Sequence, residues 1–95
     1  MKIVKEFICR EIVGEYVLVP TGDTAQELNG MININESARF MWENLEQTES
    51  FEELVDFVLK EFEVEEEIAK RDVAAFVNDL LKYGFIVPTK EDKTW

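Results

Sequence analysis

Ninety-five residues carry 21 carboxylates against ten basic side chains, a formal charge of −11, with no histidine and one cysteine. That balance argues against a nucleic acid as partner, because phosphate binding is driven by Lys and Arg. The absent histidines exclude Ser-His and Cys-His pairs and the usual zinc ligand sets, and a lone cysteine makes neither an intrachain disulfide nor a thiolate cluster. With 46% hydrophobic and 33% charged residues, the chain is expected to fold as one soluble domain over 1–88, followed by a polar tail at 89–95. No apolar run reaches membrane-spanning length, and MKIVKEF lacks the long apolar centre of a signal peptide, so a cytoplasmic protein without membrane association is expected.

In chain order, Phe7–Val13 and Tyr16–Val19 are rich in β-branched and aromatic residues and read as a hairpin. Gly14-Glu15 between them suits a type II′ turn with glycine first. Alternation in the first strand is imperfect, since Ile8 and Ile12 compete with Phe7 and Cys9 for the inner face, and the faces stay unassigned. Pro20-Thr21-Gly22-Asp23 has turn chemistry. Asn29-Gly30 predicts a second hairpin, joining strands at Ala25–Leu28 and Met31–Ile34.

Helices follow. Asn35 is a good N-cap for a first helix in which Ala38, Met41, Trp42 and Leu45 share a face, with Phe40 off that stripe, either meeting the sheet or exposed. Ser50-Phe51-Glu52-Glu53 fits a capping box for a second, lined by Leu54, Phe57, Val58 and Phe62. The third and longest runs from Glu65 to Gly84, with Ile68, Ala69, Val73, Phe76, Val77, Leu80 and Leu81 at helical spacing and glycine as the stop. Phe85–Pro88 reads as a short closing strand, and Thr89–Trp95 as a frayed end. A meander followed by three helices is an α+β fold resembling a winged helix-turn-helix, its helix pair being the second and third.

Little in this pattern suggests chemistry. Twenty-one acids make close carboxylate pairs inevitable, so pairing by itself carries no signal. Asp23, Glu27 and Asn29 lack the count and spacing of a calcium loop, and the four glycines are scattered as turn or cap residues rather than gathered into a phosphate cradle. Cys9 reads as a small apolar residue. No enzyme activity, cofactor or metal is expected. In the third helix Glu65, Glu66, Glu67, Asp72 and Asp79 outnumber Lys70, Arg71 and Lys82, which disfavours a DNA-reading role.

Taken together, REIVGEYVLVPTG, LNGMININESARFMWENL, SFEELVDFVLKEFEV and AKRDVAAFVNDLLKYGFI resemble the PqqD-like family over about residues 7 to 87. Asn35-Glu36, Trp42, Asp72-Val73, Phe76, Leu80 and Gly84 carry the resemblance. It implies a non-catalytic winged-helix module of ribosomal peptide modification, pyrroloquinoline quinone biosynthesis included. Such a module binds the leader of a precursor peptide as an added strand and presents it to a modifying enzyme, often a radical S-adenosylmethionine enzyme. The family's third strand corresponds to Met31–Ile34, and its groove is walled by the third helix. On this resemblance the peptide-binding residues are Met31, Ile32, Asn33, Ile34, Val73, Phe76, Val77 and Leu80. The Asn29-Gly30 hairpin departs from the plainest family pattern, leaving open whether Ala25–Leu28 already covers that edge. The competing expectation is an acidic winged-helix regulator or protein-interaction module.

Overall fold

Two small antiparallel sheets and four α-helices make up the computed structural model, which describes residues 1–28 and 30–92. In order these are β1 (Lys2–Ile3), β2 (Phe7–Ile12), β3 (Glu15–Pro20), α1 (Gly22–Glu27), β4 (Ile32–Ile34), α2 (Glu36–Asn44), a 3-10 turn (Leu45–Gln47), α3 (Phe51–Glu61), α4 (Glu66–Lys82) and β5 (Ile86–Val87). The larger sheet has the order β2-β3-β4, while β5 returns to pair with β1. The class is α+β, with antiparallel strands first and helices after, as the sequence predicts.

The register assigns the faces that alternation left open. Cys9 lies opposite Leu18, Leu18 opposite Ile32, and Tyr16 opposite Ile34, so these side chains share the face turned to the helices. Phe7 joins them, its ring edge-to-face with Trp42 of α2 at 5.7 Å and 4.9 Å from that of Phe85. Ile8 and Ile12 point outward and are exposed. The hairpin turn differs from the expected type II′. Ile12 pairs with Glu15, so the central residues are Val13 and Gly14, both at positive φ (52° and 80°), which is type I′. The strand twist selects this turn although a β-branched residue occupies its first corner.

The second hairpin does not form. Gly22–Glu27 is a short helix, β4 pairs with β3, and Asn29 lies outside the described residues. Ala25, Gln26 and Glu27 favour helix over strand, and tertiary contacts fix the choice. Thr24 is buried and its hydroxyl accepts from the Glu6 N–H at 2.8 Å, while the Thr21 N–H donates to the Glu6 carbonyl at 3.0 Å. With α1 added, the helix count rises from three to four, and the predicted first, second and third helices are α2, α3 and α4.

Both predicted caps are formed. The Asn35 side chain accepts from the Ala38 N–H at 2.8 Å, and Ser50 accepts from the Glu53 N–H at 3.1 Å. The Glu53 carboxylate then accepts from Glu49, one residue earlier than the capping-box geometry. At the end of α4, Gly84 takes φ 76°, its N–H donates to the Leu81 carbonyl, and the Phe85 N–H donates to that of Leu80. This Schellman closure turns Phe85 back into the core. Leu18, Leu45, Leu54, Val73 and Ile86 are the most deeply buried large side chains. Phe40 neither joins the sheet nor lies open; it is half-buried, edge-to-face with Phe62 at 5.4 Å. Of the tail, Thr89 donates its N–H to the Asp92 carboxylate, which also accepts from the Met1 ammonium, whereas Trp95 lies outside the described residues.

Val13 is 98% exposed, so it has no packing to lose. Val13→Asn should therefore stabilise the fold by about 1 kcal/mol, because asparagine accepts the left-handed corner that valine resists. A denaturant midpoint no higher than that of the parent chain would refute the assignment of strain to this turn.

Candidate functional site

β4 lies at the margin of its sheet, and among the described residues no strand pairs with its outer side. The hairpin determines which backbone groups face that margin. Closure of the type I′ turn makes Ile12–Glu15 a hydrogen-bonded pair, so Glu15, Val17 and Val19 point their amides at β2. Tyr16 and Leu18 then point theirs at β4 and engage Ile34 and Ile32. Asn33, between them, is left with its N–H and C=O directed outward.

Beside this edge lies a groove of ≈ 360 Å³. The strand side contributes Leu18, Ile32, Asn33 and Ile34, and the start of α2 contributes Asn35 and Ala38. From α4 and its closing turn come Phe76, Asp79, Leu80, Tyr83 and Phe85. Spacing explains how α4 serves both core and groove. Ala69, Val73, Val77 and Leu80 form the buried stripe, while Phe76, Asp79 and Tyr83, at i, i+3 and i+7, form the neighbouring one. Asn35 fixes the opposite wall, since its cap starts α2 immediately after β4.

Of the eight residues expected at the site, Ile32, Asn33, Ile34, Phe76 and Leu80 line this groove together. Val73 (0% exposed) and Val77 (5%) instead face the core, and Met31 precedes the strand as an exposed residue outside the lining. Periodicity identified the apolar residues of α4 but could not separate two stripes one helical step apart. Asp79 and Tyr83 were missed because neither is apolar by pattern; their positions three and seven residues after Phe76 were the available signal.

The groove can take an extended chain, with backbone bonds to Asn33 and apolar side chains set against Ile32, Phe76 and Leu80. Another hollow, ≈ 410 Å³, lies between the chain's first residues and Thr89–Asp92; it is lined by Lys2, Glu46, Glu91 and Asp92 among others and includes no residue of β4. Among the described residues no group of His, Cys, Asp and Glu could hold a metal ion. Cys9 is half-buried; burial pushes its thiol above the usual range, Glu43 adds to this and Arg39 opposes it, which favours the protonated form. No described helix is long and apolar enough to cross a membrane.

The family model for coenzyme PQQ synthesis protein D (PqqD) matches residues 15–86. The chain belongs to the PqqD family. No curated protein matches it. A solved structure described as TbiB1 in complex with the TbiA(beta) leader peptide is 24% identical, with 90% of this chain and 93% of that chain covered at a TM-score of 0.63. The likeness shows a shared fold. The PqqD match spans β3 through the first residue of β5 and includes every groove residue named above.

The division of α4 into two faces is testable by stability. Val73→Ala should lower unfolding free energy by about 2 kcal/mol, as expected for a deletion in a close-packed core. Asp79→Asn, on the exposed groove face, should change it by less than about 0.5 kcal/mol. Equal losses in urea unfolding would mean that the two stripes are wrongly assigned.

Proposed function

We propose that this PqqD-family chain is a non-catalytic recognition module for ribosomally made, modified peptides. The leader of a precursor peptide adds as a strand along β4, and the module presents it, in the cytoplasm, to a modifying enzyme such as a radical S-adenosylmethionine enzyme. The observation that carries this reading is the free edge at Asn33 beside an apolar groove walled by α4. Family membership supports it, as does the shared fold with TbiB1, a protein described in complex with a leader peptide.

The energetics require both parts of the site. Each backbone bond to the edge is worth about 1 kcal/mol net, so the N–H and C=O that Asn33 offers contribute only ~2 kcal/mol. Association costs ~4–15 kcal/mol, and strand pairing alone leaves a flexible leader unbound. Burial of ~400 Å² of apolar surface in the groove adds ~10 kcal/mol, which tips the balance. An added strand places alternate side chains on the groove side and the rest toward solvent. Sequence preference therefore falls on every second leader residue.

Titrating isotopically labelled protein with the leader encoded beside its gene should move amide resonances at Ile32–Ile34 and along Phe76–Tyr83 and leave those of α3 in place. Scattered shifts, or none near millimolar peptide, would count against the reading. Asn33→Pro should remove the outward donor while sparing the β3 bonds of Ile32 and Ile34, weakening leader binding roughly tenfold or more in a folded variant. Unaltered affinity would show that the leader does not pair with β4.

A further inference from the structure

The charge of the groove specifies the kind of peptide that suits it. Among the described residues Asp79 is the one charged residue in the lining of the α4–β4 groove, and it stands between Phe76 and Tyr83 on the same helical face. A strand laid along β4 meets more of the same sign. At the hairpin end, a hollow of ≈ 330 Å³ shares Asn33, Ile34 and Asn35 with the groove and is bordered by Glu15 and Glu36. Among the described residues no Lys or Arg lines either hollow. Arg39 lies over the Tyr16 ring at 4.8 Å, its Nη1 donating to both Glu43 carboxylate oxygens at 3.0 and 3.1 Å. Lys82, three residues after Asp79 on α4, is outside both linings.

Building on the recognition role proposed above, we infer that the β4 edge selects a basic extended segment: an apolar side chain in the Ile32–Phe76–Leu80 pocket, and a Lys or Arg two residues away on the same face, seated by Asp79. The spacing follows from the strand, whose same-face side chains recur every second residue, about one helical turn apart in distance. Phe76 and Tyr83 line the same groove on either side of Asp79, and a cation that reaches the face of either ring gains cation–π attraction besides the carboxylate. Glu15 and Glu36 favour further positive charge toward the hairpin end. The same carboxylates disfavour acidic segments, and they set a second copy of this acidic chain (net charge −11) against the edge by like-charge repulsion.

Three labelled ten-residue peptides test this with the full chain. They alternate valine with threonine around a central leucine and differ only at the two same-face neighbours of that leucine, which are Lys, Gln or Glu. Fluorescence anisotropy should rank them Lys, Gln, Glu, with about tenfold between Lys and Gln at 50 mM salt, falling to about twofold at 500 mM as the charges are screened. Asp79→Asn should weaken the Lys peptide about fivefold and leave the Gln peptide unchanged. Equal binding by all three peptides, with shifts at Ile32–Ile34, overturns the charge preference and leaves strand addition standing. Failure of every peptide to move those amides at millimolar concentration overturns both.

Discussion

The structure turns on a three-residue strand with one satisfied side and one open side. β4 is short because Asn35 ends it by capping α2, and it is held in register because Ile32 and Ile34 bond to β3 and bury their side chains against the helices. Those two requirements leave only Asn33 facing outward. Unpaired edges ordinarily invite aggregation, and natural sheets blunt them by shortness and charge. Both devices are present here: the strand is brief, its outward residue is polar, and carboxylates stand at either end of the adjoining groove. An edge with these features stays open while resisting indiscriminate pairing.

The groove beside the edge lies next to a close-packed aromatic cluster at the C-terminal end of α4. The Schellman turn at Gly84 directs Phe85 onto Phe7, and Phe7 in turn meets Trp42. This aromatic chain ties the first long strand, α2 and the end of α4 into one unit, with β5 pairing back onto β1. The rings pack into the core, and the wall at Phe76–Tyr83 borders the groove together with Ile32. Core and groove thus draw on adjacent stripes of one helix. Val73 and Val77 hold the core, and Phe76 with Asp79 faces outward.

The PqqD family match rests on the part of the chain that builds this arrangement, from β3 onward, while the fold shared with TbiB1 takes in 90% of the chain. β1 and β2 lie before the matched span. Their contribution is support: β2 extends the sheet on the side away from β4, and β1 pairs with β5. The edge and the groove belong to the matched span.

Local chemistry is legible in the sequence wherever one residue decides it. Asn35 and Ser50 announced their helices, Gly84 announced the end of α4, and the apolar spacing of α2, α3 and α4 identified all three, because caps and periodicity act over a few neighbouring residues. Local signals misled where distant contacts compete with them. Asn29-Gly30 predicts a hairpin, yet Thr24 is drawn under Glu6 and its segment coils into α1; Gly14 suggests one turn, yet the strand twist places Val13 at the corner. The site divides the same way. That Ile32, Ile34, Phe76 and Leu80 matter to packing follows from pattern, but that Phe76 borders a groove while Val73 is sealed depends on the distance between α4 and the sheet. The core that packs α4 with the sheet includes Phe7, Trp42 and Phe85, residues far apart in the chain, and only the assembled structure brings their rings together.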